Sequence, residues 1–298
     1  MTDSQTQFLV ILREVCDPKP PVRLTADGFG VRERGLRYMT NPADLCALEM
    51  ALEMSGSQQG AVTVVAIGPS RLDDHLRLAM AMGASRACRV WHSALEGSDM
   101  VADARVIARI VDILKPDFVF TGQRLLDSGD NPAPALAAAN LGMPYVTAAL
   151  STNRKEELVE VLRKSDRGAT QVVATQTPCA IMFEAGCCEP RYPSHEALVS
   201  ALEQDIELWG VAELGLRVHD LGSAGAVLKK DRCSFPRANP QRVETPDANL
   251  PAFERILALL SGGIKPREGK VHALSVDDTV EQLMTIFKSE GLIDGSSP

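Results

Sequence analysis

The chain has 298 residues, of which 45% are hydrophobic, 23% charged and 4% aromatic, and its formal net charge is −8. This composition excludes two classes of nucleic-acid-binding protein. A protein that binds the phosphate backbone needs a basic face, and one that binds single strands by stacking needs exposed aromatic side chains. The first residues lack a basic segment and no run of about 18 apolar residues occurs, so we expect neither a signal peptide nor a membrane insertion.

The first half of the chain alternates short apolar runs with helical periodicity, which is typical of a parallel sheet with crossover helices. Asn41 is a predicted N-cap followed by Pro42 in the first turn, and Asp44 completes a capping-box spacing. An Asp-Gly pair in VRLTADGFGVRE predicts a hairpin between the first strand and this helix. The predicted strands are FLVILR, AVTVVAIGP, ACRVW and FVFTG, and helices are predicted over residues 41 to 52, 73 to 82 and 101 to 114.

The second half of the chain has a different sequence pattern. ELVEVLRK, TQVVATQ and CAIMFEAG are extended runs that predict strands added to the sheet or packed on its edge, and SHEALVSALEQDIELW predicts a short helix. Residues 222 to 267 are rich in Pro, Gly and polar residues, which favours an extended arm. A closing helix follows, with a Ser275/Asp278 capping box and a stop at Gly291. We therefore predict an α/β core over residues 1–221 and an arm with a helix over residues 222–298.

No catalytic constellation is recognisable. The chain has no nucleophile elbow, Walker loop or zinc-protease motif, and no G-x-G-x-x-G follows the first strand. The seven cysteines form no C-x-x-C pair, and the adjacent Cys187 and Cys188 do not match a zinc-site spacing. We therefore expect no catalytic residue, no metal site, and reduced thiols in a cytoplasmic protein.

The stretch GQRLLDSGDNPAPALAAANLGMP, residues 122 to 144, follows the last strand of the alternating half. In an open α/β sheet, ligands bind in the crevice at the carboxyl ends of the strands, and a helix N-terminus there offers N–H groups to a phosphate. Pro132 and Pro134 fall at the start of this predicted helix and carry no N–H. This helix end therefore offers fewer N–H groups to a phosphate than a helix start without prolines does.

Several segments together resemble the β-subunit of electron-transfer flavoproteins, in the same order and at similar separations. The similar segments are NPADLCALEMAL, IGP with AMAMGASRA, the stretch from residue 122 to 144, CCEPRY, and KPREGKVHALSVDDTVEQLMTIFKSEGLI. The similarity covers almost the whole chain apart from residues 229 to 263. The resemblance implies a doubly wound, mostly parallel α/β fold of the adenine-nucleotide-hydrolase type with an extended C-terminal arm and closing helix.

The resemblance also implies a function. The β-subunit of that family forms a heterodimer with an α-subunit that holds the redox-active FAD, and it buries AMP or, in bifurcating members, a second FAD. Its arm wraps the α-subunit, and a loop after the E-P-R-Y motif docks acyl-CoA dehydrogenases. The chain would then be an electron-carrier subunit rather than a stand-alone enzyme, because electron tunnelling between flavins needs no acid–base groups. Two alternatives stay open: a non-redox scaffold subunit that has lost nucleotide binding, and a stand-alone nucleotide sensor.

Positions that match the family's nucleotide site can be named on this chain. Asn131, Pro132, Ala133 and Pro134 replace the family's amide- and hydroxyl-bearing phosphate motif, so AMP, a second FAD and an empty crevice all stay open. Arg124 either pairs with a phosphate or is solvated. The predicted cofactor-binding residues are Ile11, Asn41, Ile67, Gly122, Arg124, Asp127, Asn131 and Ala133.

The segment after the E-P-R-Y motif is the predicted partner-docking region, with Tyr192, His195, Glu196 and Leu198 as its docking residues. The family usually has a leucine and a run of lysines here, whereas this chain has a histidine and four acids, Glu196, Glu203, Asp205 and Glu207. Reversed charge on a docking surface predicts a different dehydrogenase or other oxidoreductase as partner, because like charges suppress the wrong one. The alternative is drift on a solvated helix.

Overall fold

The computed structural model describes residues 5–58, 60–155, 158–228, 233–235, 246–260 and 274–289. The chain divides into two units, residues 1–234 and 235–298. The first unit therefore includes residues 222–234, and the assignment of residues 222–298 to an arm that packs on a partner stays a prediction.

A nine-stranded sheet organises the described part of the first unit. Its strands are β1 (Gln7–Leu12), β4 (Ala61–Ile67), β5 (Arg86–Val90), β6 (Phe118–Gly122), β9 (Tyr145–Lys155), β10 (Leu158–Lys164), β11 (Thr170–Gln176), β12 (Cys179–Phe183) and β13 (Glu207–Trp209). Their order in the sheet is β11-β10-β9-β12-β6-β1-β4-β5-β13. The seven neighbouring strands from β9 to β13 in that order run parallel, while β10 and β11 continue the sheet antiparallel.

Helices cover both faces of this sheet. The helices of the first unit are α1 (Pro42–Gln58), α2 (Asp73–Met82), α3 (Met100–Leu114), α4 (Ala133–Asn140), α5 (His195–Glu203), α6 (Val211–Leu214) and α7 (Gly222–Gly225). Residues of α1 and α2 share one apolar cluster with Phe8, Val10 and Leu12, and residues of α3 and α4 share another with Leu9 and Ile11. The alternating sides of β1 thus face two helical layers, which confirms the predicted doubly wound, mostly parallel α/β fold.

Aromatic rings fill the centre of the α1 face. Phe8 and Phe118 stack with ring centroids 4.9 Å apart, and Phe120 meets Phe183 edge-to-face at 4.9 Å. All four side chains are at most 1% exposed. Because these phenylalanines come from β1, β6 and β12, they fix the three central strands against one another.

Short antiparallel pairs lie outside the main sheet. β2 (Glu14–Cys16) pairs with β3 (Tyr38–Thr40), and β7 (Arg124–Leu125) pairs with β8 (Gly129–Asp130). Between β2 and β3, an antiparallel bridge joins Leu24 to Val31, and Gly28 adopts a positive φ of 73° in the turn. The hairpin predicted from the Asp-Gly pair is confirmed.

Two strands, β9 and β13, differ from the prediction. β9 was not predicted, whereas β10, β11 and β12 are the three predicted strands of the second half, and β12 lies between β6 and β9 inside the parallel sheet. The predicted helix of residues 194 to 209 ends at Glu203, and β13 then pairs with β5 as an edge strand. Glu203 is followed by Gln204 in extended conformation (φ −79°, ψ 143°), which ends the helix.

In the second unit the structure describes helices α8 (Ala252–Leu260) and α9 (Val276–Ser289). α9 begins as predicted, with Ser275 Oγ accepting from the Asp278 N–H at 3.2 Å and donating to its carboxylate at 2.7 Å. The predicted stop at Gly291 lies outside the described residues. Four apolar side chains of α9 are exposed, with Val280 54%, Leu283 45%, Met284 39% and Phe287 37% accessible. Among the described residues, no helix is long and apolar enough to cross a membrane.

Candidate functional site

The carboxyl ends of β1 and β6 meet where the strand order reverses, since the chain proceeds from β1 to β4 and β5 on one side and returns to β6 on the other. One buried carboxylate joins the two ends. Asp44 in the first turn of α1 accepts the backbone N–H of Arg13 at 2.8 Å and that of Gly122 at 2.6 Å. This topological switch point, which we call the crevice, is where open α/β sheets bind ligands.

Asp44 is fully buried, with 0% of its surface accessible. Burial raises the pKa of its carboxyl to about 6, although hydrogen bonds from the Gly122 and Arg13 N–H groups oppose the shift. The sequence had suggested a capping box for this residue, but its side chain instead binds the two strand ends. Asp44 does have the predicted spacing from Asn41. Because α1 begins next to the sheet, however, the Asp44 carboxylate bonds the ends of β1 and β6 instead.

Gly122 is needed for this close approach. A Cβ at residue 122 would lie 2.5 Å from Asp44 Oδ1 and 2.6 Å from the Cβ of Ala43. Both neighbours belong to the first turn of α1, which has no room to retreat because Asp44 is bonded to both strands. The predicted site residue Gly122 therefore has a steric role at the end of β6.

Asn41 precedes α1 and is 1% exposed. Its backbone carbonyl accepts the N–H groups of Asp44 and Leu45, which places it at the predicted N-terminus of the helix. Its side-chain amide bonds the loop after β6, since Nδ2 donates to the Arg124 carbonyl at 2.9 Å and Oδ1 accepts the Leu126 N–H at 3.2 Å. Asn41 thus fixes the loop that borders the crevice.

The start of α4 forms the next part of the crevice. Helical residues run from Ala133, as predicted, and Leu136 makes the first intrahelical bond to the Pro132 carbonyl at 2.9 Å. With Pro134 in the second position, the first turn before that bond retains only the backbone N–H groups of Ala133 and Ala135. The anion-binding capacity of this helix end is correspondingly reduced.

Two buried side-chain nitrogens in this region are unpaired. Asn131, 5% exposed and next to the start of α4, has an Nδ2 with no hydrogen-bond partner among the described residues, and the same holds for Nε of Arg13. Arg13 follows β1 directly and pairs with Asp103 of α3 at 3.0 Å. Its guanidinium therefore lies on the α3 side of the sheet. Unpaired buried donors are rare and call for a partner such as water or a ligand.

The apolar residues of the predicted site do come together. Ile11 and Ala133, 0% and 1% exposed, belong to the apolar cluster on the α3 and α4 face, and Ile67 at the end of β4 packs against it. They therefore form one apolar wall on this face of the sheet. Arg13 and Asp44 were not predicted as site residues, although a cation directly after a buried strand was a usable signal for Arg13.

Arg124 and Asp127 are exposed and engaged elsewhere. Arg124 pairs with Asp130 at 3.3 Å with 67% of its side chain accessible, and Asp127 accepts the Cys16 N–H at 2.9 Å. Asp127 thus ties the loop after β6 to the β2–β3 hairpin. A phosphate would have to draw Arg124 away from Asp130.

The predicted docking residues lie together at the surface. Tyr192 is 99% and Leu198 39% exposed, and His195 and Glu196 are exposed in the first turn of α5. Ser194 caps this helix by accepting the Ala197 N–H at 3.2 Å, and Arg77 of α2 donates to the carbonyls of Ala201 and Leu202 at its other end. Glu207, one of the four acids of the predicted docking region, is instead paired with Arg86 through two bonds of 2.5 and 2.6 Å.

Comparison with known proteins places this architecture in a family. Residues 29–213 match the electron transfer flavoprotein domain. The chain is 30% identical over 234 residues to an electron transfer flavoprotein subunit beta of Methylophilus methylotrophus, covering 77% of this chain and 89% of the relative. It is 29% identical to the same-named subunit of Clostridium acetobutylicum over 78% and 90% of the two chains, and 28% identical to the protein FixA of Azotobacter vinelandii over 72% and 79%.

Proposed function

Because the chain belongs to the electron transfer flavoprotein β-subunit family, we propose that it is the small subunit of a heterodimeric electron carrier. FAD would be held mainly by an α-subunit, and electrons would pass through it between a dehydrogenase and an acceptor. The protein would supply binding, distance and electrostatics for this transfer. The complex would act in the cytoplasm.

The observation that carries the nucleotide part of this proposal is the pair of unpaired buried nitrogens, Asn131 Nδ2 and Arg13 Nε, at the switch point. A buried N–H without a partner costs about 1–3 kcal/mol, so a ligand that accepts from it gains affinity. We propose that the crevice holds an adenine nucleotide, AMP or a second FAD, against the apolar wall of Ile11, Ile67 and Ala133. Its phosphate would be reached by Arg13 or by Arg124, because α4 offers few N–H donors.

The closing helix supports the heterodimer. Four apolar side chains of α9 are between 37% and 54% exposed. A contiguous apolar stripe on an amphipathic helix is typical of a surface that another protein covers. We propose that residues 222–298 form the arm and helix that pack on the α-subunit.

The redox partner would dock on residues 192–205, which we call the docking segment. Glu196, Glu203 and Asp205 are exposed there and give it an acidic character. The partner should therefore present a basic patch, and a partner other than the ordinary acyl-CoA dehydrogenases is proposed. Such charges act mainly on the association rate.

A scaffold subunit without bound nucleotide is the second candidate. It is favoured by Pro132 and Pro134 at the start of α4 and by the pairing of Arg124 with Asp130. The two candidates differ in whether the crevice contains a nucleotide, so one purified sample of the complex can distinguish them.

The test is to purify the full chain with the large subunit that accompanies it and to measure nucleotides released on denaturation. We expect one FAD from the large subunit and one further adenine nucleotide per heterodimer. Asn131→Ala should weaken binding of that second nucleotide by about 5–150-fold, the equivalent of 1–3 kcal/mol. Asn153→Ala, which removes an exposed amide on β9, should leave it unchanged.

The outcomes separate the two parts of the proposal. Absence of a flavin-bearing partner would refute the electron-carrier function itself. A flavin-bearing partner with a crevice that releases no nucleotide would refute the nucleotide site and favour the scaffold. Equal losses in Asn131→Ala and Asn153→Ala would show that Asn131 does not contact the ligand.

A further inference from the structure

Three cysteine side chains converge at a position that the crevice does not use. Cys46 lies on α1, and Cys187 and Cys188 lie in the loop that follows β12, more than 140 residues away along the chain. Their three sulfur atoms lie within 4.8 Å of one another. Cys46 is 2% exposed, while the other two are partly exposed. We call these residues the three-thiol cluster.

Backbone contacts hold the cluster together from both sides. Cys46 Sγ donates to the Cys188 carbonyl at 3.4 Å, and Cys188 Sγ donates to the Cys46 carbonyl at 3.6 Å. The loop and the helix are therefore docked with the three sulfurs close together.

The spacing suits a single metal ion. A metal–thiolate bond of about 2.3 Å in tetrahedral geometry places its sulfur ligands about 3.8 Å apart. Sulfurs already within 4.8 Å of one another would need to move by no more than about 1 Å to reach that spacing. An iron–sulfur cluster normally uses four thiolates, and the described residues bring only three cysteines to this place.

We propose that the three-thiol cluster binds one thiophilic divalent cation, of which Zn²⁺ is the physiological candidate, with Cys46, Cys187 and Cys188 as ligands and a water in the fourth position. Thiolate ligands select soft or borderline ions. A divalent ion also offsets the charge of three partly buried thiolates better than a monovalent one does. The nearby guanidinium of Arg191 does not supply that charge, because it is paired with Glu49 at 2.8 Å.

The site would stiffen the docking segment. Glu49 lies on α1 one turn after Cys46, is 5% exposed, and accepts both the backbone N–H and the guanidinium of Arg191. Arg191 and the cluster thus fix the loop to α1 on both sides of residues 189 and 190. Tyr192, which directly follows Arg191, is exposed to solvent. Metal binding itself does not depend on the proposed electron-carrier function, so its test stands alone.

The test uses the full chain, together with any subunit that co-purifies with it, under reducing, oxygen-free conditions. Zn²⁺ is titrated against a chromophoric chelator, and Co²⁺ replaces it to report thiolate ligation through its charge-transfer absorption. We expect one ion per chain and a sulfur shell at about 2.3 Å by X-ray absorption of the zinc form. Cys46→Ser, Cys187→Ser and Cys188→Ser should each weaken binding by more than the roughly 10–100-fold that a lost outer-shell partner costs.

Cys233→Ser is the matched control, because Cys233 is a free cysteine that does not belong to the cluster. It should retain full metal affinity, and circular dichroism should confirm that each cluster variant is folded. The X-ray absorption result on the unmutated protein does not depend on any variant's folding. Failure of the unmutated chain to hold an ion against the chelator would overturn the proposal. So would binding that survives Cys46→Ser, equal loss in Cys233→Ser, or a protein isolated without metal and with Cys46 in a disulfide to either neighbour.

Discussion

Replacement of Asp44 by asparagine should change how the stability of the first unit depends on pH. The carboxyl is fully buried, and burial raises its pKa from 3.8 to about 6. The folded protein therefore holds this proton in a pH range where the unfolded chain has lost it. The stabilisation from the neutral form is fully present below pH 3.8 and is lost as pH rises through 6.

The magnitude follows from the shift. A rise of the Asp44 pKa from 3.8 to about 6 corresponds to about 3 kcal/mol, of which about 2 kcal/mol falls between pH 4.5 and 7.5. The asparagine side chain of the variant cannot ionise, but its amide accepts only one of the two N–H groups of Arg13 and Gly122. The variant should thus be less stable than the wild type by about 1–3 kcal/mol at low pH. This deficit should shrink by about 2 kcal/mol towards pH 7.5.

The assay is urea unfolding of the full chain followed by tryptophan fluorescence at pH 4.5, 5.5, 6.5 and 7.5. Both tryptophans of the chain, Trp91 and Trp209, lie in the first unit, so the signal reports the unit that contains Asp44. Asp74→Asn on α2 is the control, since it removes the same charge from an exposed position. A stability difference between wild type and Asp44→Asn that is independent of pH, or an equal pH effect in Asp74→Asn, would refute the reasoning.

Two further changes test the close packing at the crevice and the docking segment. Gly122→Ala should lower the free energy of unfolding by about 3 kcal/mol or more, because its Cβ would lie 2.5 Å from Asp44 Oδ1. A Cβ at residue 56, on the exposed side of α1, would have no atom within 4 Å, so Gly56→Ala should raise the free energy of unfolding by about 0.5–1 kcal/mol. If both substitutions changed the free energy of urea unfolding equally, the steric argument would be contradicted. Replacing Glu196, Glu203 and Asp205 with Lys should slow stopped-flow electron transfer to the true partner most at low ionic strength and leave the flavin spectrum unchanged. Unchanged rates at low salt would make the docking segment an ordinary solvated helix.

The sequence predicted the elements whose signal is local. β1, α2, α3 and β6 have apolar runs or helical stripes that need no other part of the chain for their interpretation, and the structure has each of them within a residue or two. β9 was missed because its eleven residues mix apolar, polar and basic side chains, as a strand with a partly exposed antiparallel neighbour can. β13 was missed because three residues after a helical pattern carry no strand signal of their own.

Contacts between residues that are far apart along the chain were the part of the site that the sequence did not predict. The residues of the crevice were predicted by resemblance, but the role of Asp44 was not, because the spacing that predicts a capping box also suits a carboxylate that reaches the sheet. The three-thiol cluster was not predictable from spacing, since Cys46 and Cys188 are 142 residues apart along the chain. Only the position of β12 inside the sheet brings the loop after it next to α1.

The contacts that hold the crevice together do not involve the start of α4. Asp44 joins β1 to β6, Asn41 fixes the loop after β6, and Gly122 allows α1 to approach, all through bonds within the protein. None of these bonds uses the start of α4, where Pro132 and Pro134 lie. Substitutions in that turn can therefore alter phosphate affinity without opening the crevice. The bonds that hold the crevice together and the helix end that would bind a phosphate are separate parts of this fold.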